Sequence, residues 1–347
     1  MLHHGGRLQQ VAAQYNTQPS QWLDLSTGIS PFSYQVGDVP QHVWHRLPEE
    51  EDGLLQAAQA YYGYQDLLPV AGSQAAIQLL PRVIEHKLGR KGTVLLPERG
   101  YQEHRQAWQK SYWHIEQYQT LPSQAQLQSC DAVLIINPNN PSTFLASPQQ
   151  LDYVESHLPN HAVLVIDEAF MDEQDQSSRL ISISRMQHDE VASSALPHNV
   201  IVLRSIGKFF GLAGSRVGFV AAHQNWLEQL RSELGPWTIC GASRWVVTQA
   251  LKDSQWQQQA RSKIKYASEL QLERIQSVFA GCIVSSAGLF IRLEHSKSPE
   301  LYQALCQQSI LVRLTDEQDA LRFGLCADAE QLERLICALN TISIEYK

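Results

Sequence analysis

The sequence predicts an α/β fold built on a largely parallel sheet, and three observations carry that expectation. Four short apolar runs read as strands buried on both faces. Helical patterns alternate with them. From about residue 246 the pattern changes, which divides the chain into a large domain over 46–245 and a smaller α+β domain formed by 1–45 and 246–347. The runs are TVLLP (93–97), AVLIIN (132–137), AVLVID (162–167) and VIVLRS (200–205). Three of them finish on a polar residue, Asn137, Asp167 and Ser205, and ligands of open parallel sheets bind at the carboxyl ends of the strands. SPQQLDYVESHL (147–158) reads as a helix with Ser147 as N-cap and Pro148 in its first turn. The polar, irregular stretch 172–198 reads as a surface loop with one short helix. Beyond 246 follow one long helix running to about 279, the strand-like CIVSSAGLFIRLE and a closing helix near 329–340.

A chain of 347 residues has room for one large or two moderate domains. With 44% apolar and 18% charged residues it belongs with soluble globular proteins, which excludes disordered and fibrous classes. The net charge of −8 and the lack of a Lys/Arg cluster exclude a nucleic acid or an anionic membrane and leave a small molecule as the expected partner. MLHHGGRLQQVAAQY lacks the basic start and apolar stretch of a signal peptide, and no run approaches the ~20 apolar residues of a membrane span. A cytoplasmic protein is expected. The cysteines at 130, 240, 282, 306, 326 and 337 form no C-x-x-C pair and read as reduced, mostly buried thiols. The thirteen histidines show no ligand spacing, so no metal is expected.

RSIGKFFGLAGSRVGF (204–219) sets Lys208 after a buried-type strand, beside Phe209, Phe210 and several glycines. An isolated lysine is ordinarily a solvated surface charge. An apolar setting desolvates it, lowers its pKa and suits it to attack carbonyls and form Schiff bases. Phe209 after Gly-Lys and Val202 in place of a first glycine exclude a phosphate loop, and the glycines at 211, 214 and 218 do not make a dinucleotide fingerprint. Pyridoxal phosphate would explain the lysine, and it demands an acid for its ring nitrogen, donors for its phenolic oxygen, a stacking ring and a phosphate cradle. Asp167 closes an apolar strand and can supply the acid. Asn137 or Asn140, in INPNNPS, can donate to the phenolic oxygen, although Asn-Pro clusters also simply turn the chain. Gly72 and Ser73 stand at the start of an apolar helix, where free N–H groups and the positive dipole end favour an anion.

In order, the chain presents a Gly-Ser helix start, a tyrosine, an Asn-Pro turn, a strand-ending Asp, and a Lys with Arg following. With these motifs it resembles fold-type I pyridoxal-phosphate enzymes, is similar to class I/II aminotransferases, and within them resembles the branch of histidinol-phosphate aminotransferases and threonine-phosphate decarboxylases. The motifs span 72–218 and resume near 322, most of the chain. The resemblance implies a mainly parallel seven-stranded sheet in the large domain and a homodimer. It implies that Lys208 carries the cofactor, Asp167 faces the pyridinium, Asn140 donates to the phenolic oxygen and Tyr101 stacks on the ring. Gly72, Ser73, Gln74, Ser205 and Arg216 would hold the phosphate, and Arg322, in ALRFGL, would grip the substrate α-carboxylate.

HHGGRLQQVAAQYNTQPSQWLDLSTGISPF, GKFFGLAG and DEAF are more similar to the threonine-phosphate decarboxylases of cobalamin biosynthesis than to the aminotransferases. That likeness implies that His4, Gly5, Gly6, Gly28 and Arg313 serve the substrate and its phosphate, with Asn140 also facing substrate. It implies decarboxylation of L-threonine O-3-phosphate to (R)-1-amino-2-propanol O-2-phosphate. Transamination of the histidinol-phosphate type uses the same residues and is the alternative. A binding protein without catalysis has no need of Lys208, Asp167, Asn140 and Arg216 together. The chain departs from the branch at Ser30, where Asn is common, at Ser142 and Thr143, where Thr-Gly is usual, at Phe170, where aminotransferases carry a hydroxyl, and at Leu47, in place of a tyrosine that reaches the neighbouring subunit.

Overall fold

Every residue of the runs at 132–136, 163–167 and 200–205 is buried, as strands flanked on both faces require. The computed structural model describes residues 5–174, 177–180 and 196–345. Its strands are β1 (Leu23–Asp24), β2 (Leu67–Val70), β3 (Thr93–Pro97), β4 (His114–Tyr118), β5 (Ala132–Ile136), β6 (Val163–Asp167), β7 (Val200–Ser205), β8 (Gly218–Ala222), β9 (Val284–Ser286), β10 (Phe290–Glu294), β11 (Ile310–Leu311), β12 (Arg313–Leu314) and β13 (Ala320–Gly324). The chain forms two units, one of Tyr34–Asn140 and Phe144–Trp256, the other of the residues up to Ser33, Pro141–Thr143 and those from Gln257 onward.

The first unit holds a seven-stranded sheet in the order β2-β8-β7-β6-β5-β3-β4. The four runs legible in the sequence are its contiguous middle, β7-β6-β5-β3, paired in parallel. β8 runs antiparallel to both β2 and β7. The strands that the pattern did not single out include both edges. β4, HIEQY, has a neighbour on one side only and keeps polar residues, while β2 carries Pro69, which an edge tolerates because no ladder needs its N–H there. Helices Ser73–Leu88, Gln102–Lys110 and Gln224–Leu234 bury Ile77, Leu80, Ile84, Trp108, Trp226 and Leu230 against the sheet. Each such side chain removed from water contributes about 1.5–3 kcal/mol. The helix Pro148–Ser156 starts as expected: Ser147 Oγ accepts from Gln150 N (3.2 Å) and the Gln150 side chain accepts from Ser147 N (2.8 Å).

The expected long helix after 246 is instead two helices, Gly241–Lys252 and Ser254–Val278. Asp253 leaves the helical region at φ −86°, ψ 78°, and its carboxylate accepts from Trp256 N (2.9 Å), capping the second helix. The second unit pairs β1 with β11 in parallel and forms an antiparallel sheet in the order β12-β13-β10-β9. Helices Ser298–Gln307 and Ala329–Glu345 close its core of Leu293, Leu305, Phe323 and Leu335. The short helix expected within 172–198 falls mostly on 175, 176 and 181–195, which lie outside the described residues. No described helix is long and apolar enough to cross a membrane.

Candidate active site

Strand register gathers the chemistry. Ile136, Asp167 and Leu203 are aligned across β5, β6 and β7, and Ser205, Gly218 and Val70 across β7, β8 and β2. Side chains alternate along a strand and paired residues share a face, so Asp167, Leu203 and Ser205 lie on one face and Glu168 and Arg204 on the other. Asp167 is 3% exposed, and its carboxylate accepts from His104 Nε2 (2.8 Å) and Ala169 N (3.0 Å). A carboxylate has about four acceptor positions, so these two bonds orient it and leave room for a further donor.

Lys208 sits in the single helical turn Ile206–Phe209 that follows β7, with Nζ 5.2 Å from the centre of the buried Phe170 ring. Its chain neighbours Phe209 and Phe210 are fully buried, while Lys208 itself is half-buried. A Cβ on Gly207 would lie 3.1 Å from the Ala213 backbone, a tight contact that the glycine avoids.

The helix start expected to hold a phosphate is shaped by close backbone approach. Gly72 precedes helix Ser73–Leu88 at φ 71°, ψ 158°, a conformation nearly restricted to glycine, and a Cβ there would lie 2.9 Å from Arg216 Nη2. A Cβ on Gly218 would lie 2.6 Å from Ser73 N. The two glycines thus let an arginine and a strand close on a helix start whose unpaired N–H groups favour an anion. The Gln74 backbone lies in the helix start, as its expected part in holding a phosphate requires, and its side chain donates to Glu103 (2.8 Å) and accepts from the Tyr101 hydroxyl (3.4 Å), which orients Tyr101. Among the asparagines, Asn137 is fully buried and accepts from Ala146 N (2.8 Å), and Asn139 donates to Arg99 O (3.0 Å). Asn140 is half-buried at the end of this turn.

Pyridoxal phosphate fits the residues in kind. There is an amine over an aromatic ring, an oriented buried carboxylate, a tyrosine, and an arginine-flanked helix start that a Cβ at 72 would crowd. Sequence reasoning missed His104 and Glu103. The only signal was spacing, since His104 follows Tyr101 by three and an i, i+3 pair on a helical turn shares a side; the two rings meet edge to face at 6.3 Å.

In the second unit Arg322 is 8% exposed, so it is not the surface charge that a strand-end arginine alone would suggest. Its Nη2 donates to Ser26 O (2.9 Å) and its guanidinium lies 5.3 Å from the Phe290 ring centre. Gly6 N donates to Ser26 Oγ (2.8 Å), and a Cβ on Gly5 would lie 2.1 Å from Ser26 O, so this stretch is tied down rather than a loose tail. Gly28 is buried, and Arg313 pairs with Asp316 (2.7 Å). His4 lies outside the described residues.

A buried acid at one strand end and a lysine just after another, beside a glycine-lined helix start, lie where open α/β sheets bind their ligands. The chain belongs to the family of class I and II aminotransferases, whose profile matches residues 44–339. It is 40% identical over 340 residues to a threonine-phosphate decarboxylase of Pseudomonas aeruginosa, covering 98% of this chain and 97% of that one. A threonine-phosphate decarboxylase of a Sinorhizobium species is 34% identical, with 98% of each chain covered. Among solved structures, histidinol-phosphate aminotransferase from Sinorhizobium meliloti in complex with pyridoxal-5'-phosphate superposes with a TM-score of 0.78 at 16% identity, covering 100% of this chain and 99% of that one.

Proposed function

We propose that the chain is a pyridoxal-phosphate-dependent decarboxylase that converts L-threonine O-3-phosphate to (R)-1-amino-2-propanol O-2-phosphate, a step that serves cobalamin synthesis. The observation that carries the reading is the 40% identity to the Pseudomonas aeruginosa enzyme along 98% of the chain. The oriented Asp167 and the cradle at Gly72 support the cofactor. Once bound, pyridoxal phosphate supplies an electron sink for a bond broken at the substrate α-carbon. In this reading Lys208 would hold the cofactor aldehyde, and its amine would return a proton to the substrate α-carbon. Asp167, oriented by His104, keeps the ring nitrogen protonated. Asn140 donates to the phenolic oxygen, Tyr101 stacks on the ring, and Gly72, Ser73, Gln74, Ser205 and Arg216 hold the cofactor phosphate. Arg322 binds the α-carboxylate in a fork, and His4, Gly5, Gly6, Gly28 and Arg313 serve the substrate phosphate.

The proposed enzyme is a cytoplasmic homodimer. Its six cysteines are free thiols. Trp44, Leu47 and Trp237 are 61%, 63% and 59% exposed on the first unit, where helices His42–His45 and Gly241–Lys252 pack so tightly that a Cβ on Gly241 would lie 2.5 Å from Val43 O. Large apolar groups left in water favour a covering partner, here a second copy. The decisive assay supplies threonine phosphate with and without 2-oxoglutarate. Carbon dioxide released without the acceptor supports decarboxylation, and glutamate formed only with the acceptor would replace it by transamination. Sedimentation of Trp44→Glu as monomer, against dimeric wild type, tests the assembly.

A further inference from the structure

We propose that Arg204 is a positioning residue for this site: through Glu168, Asp172 and Ser178 it fixes, from the rear face of the sheet, the strand ends that carry Asp167 and Lys208. The inference rests on the cofactor reading above. Arg204 Nη1 donates to Glu168 Oε2 (2.6 Å) and to Ser178 Oγ (3.1 Å), and Nη2 donates to the Asp172 carboxylate. Its guanidinium lies over the Tyr62 ring, 4.8 Å from the centre. Ser178 Oγ donates to Glu168 Oε2 (2.7 Å) and Arg179 N to Glu168 Oε1 (2.6 Å). Arg179 in turn bridges to Asp152 (2.7 Å) and Glu155 (2.5 Å) of the helix Pro148–Ser156. Arg204, Glu168, Asp172 and Ser178 are all within 2% of complete burial.

One guanidinium therefore serves two buried carboxylates. Burial opposes its charge, but Asp172 and Glu168 outweigh that opposition and hold it protonated, well above its ordinary value. Such a cluster is weak evidence of stability, because apolar side chains of equal volume often hold a core as well or better. What they lack is direction. A planar fork fixes where its acceptors stand, and here the acceptors are chain neighbours of the working groups. Glu168 follows Asp167, Arg204 precedes Ser205 and stands four residues before Lys208, and Glu168 N donates to Leu203 O (2.9 Å). A twist of the β6 end that released Glu168 from Arg204 would swing Asp167 with it.

The test uses the holoenzyme carrying Arg204→Lys, which keeps the charge and loses the fork, or Glu168→Gln, which keeps the shape and loses the charge. Three quantities are read: the pH midpoint of the bound cofactor's visible band, kcat and KM for threonine phosphate, and the melting temperature of the cofactor-free protein. The expected result is a midpoint moved by about half a unit or more and a kcat lowered about tenfold or more with KM within about twofold, as a sub-ångström misplacement of a catalytic group produces. Ser178→Ala, which removes only the bridging hydroxyl, gives a smaller shift in the same direction and decides the matter if either charged variant fails to fold. A fall in melting temperature with the midpoint and kcat of wild type overturns the proposal and leaves the cluster structural. Wild-type protein that develops no visible band defeats the cofactor reading itself; a wild-type band with unaltered variants defeats the positioning role alone.

Discussion

Replacing Gly72 with alanine acts on the candidate site through two separable effects. The first is backbone strain: φ 71° with ψ 158° is a region that residues with a Cβ avoid, at a cost of about 1–3 kcal/mol. The second is displacement, because the new methyl would stand 2.9 Å from Arg216 Nη2 and the guanidinium would have to shift from its place at the helix start. A charge-assisted hydrogen bond to the cofactor phosphate contributes about 1.5–3 kcal/mol, so its loss weakens cofactor binding about ten- to a hundredfold. Gly235 separates the effects, since it has nearly the same backbone, φ 70° and ψ −175°, and a Cβ there meets nothing within 4 Å. Both variants should melt several degrees lower as cofactor-free proteins. Only Gly72→Ala should lose affinity when pyridoxal phosphate is titrated and followed by absorbance. Wild-type affinity in Gly72→Ala would refute the cradle, and equal loss of affinity in both would show that strain, not Arg216, is responsible.

Three further outcomes are expected. His104→Phe leaves the buried Asp167 carboxylate one donor short, so the protein should lose about 1–3 kcal/mol in urea unfolding and cofactor affinity with it; an unchanged affinity would remove His104 from the site. Burial alone would raise the Asp131 carboxyl, but hydrogen bonds from Arg90 and Thr93 N, with the Arg90 charge and His161, outweigh it and hold the group below its ordinary value of 3.8. A depressed folded pKa gives stability that is present above the ordinary value and lost as pH falls through the folded one. Asp131→Asn should therefore destabilise the protein at pH 7 and flatten the acid limb of stability below about pH 4, which an unchanged limb would contradict. Burial pushes the Cys130 and Cys326 thiols up to about 12, whereas Cys240 and Cys337 are exposed. At pH 8 a chromogenic disulfide should label 240 and 337 rapidly and 130 and 326 only on unfolding, as quantified by mass spectrometry.

The interior of the sheet and the outline of the site were legible because burial on both faces writes itself as continuous apolar runs, and because Lys208 and Asp167 stand where such runs end. The edges were not. β4 is paired on one side and alternates with polar residues, so it resembles a loop, and the break at Asp253 depends on one carboxylate turning back to Trp256 N inside an otherwise helical pattern. His104 and Arg204 were hidden for another reason. Each acts through a neighbour distant in sequence, 63 residues away for His104 with Asp167 and 36 for Arg204 with Glu168, and single-residue patterns carry no trace of such pairing. The preference for Asn140 over Asn137 comes from the family resemblance, since one Asn-Pro turn holds both and its local pattern does not separate them.

The side-by-side carboxylates at 167 and 168 have a consequence for how this chain tolerates change in length. Because strand residues alternate between faces, removing one residue from β6 would exchange the two acids, sending Glu168 to the face of Leu203 and Ser205 and Asp167 toward Arg204, with every hydrophobic neighbour inverted as well. Insertions and deletions in descendants of this protein should accordingly collect in the connections around the sheet, and the five residues of Val163–Asp167 should keep their number even where their identities drift.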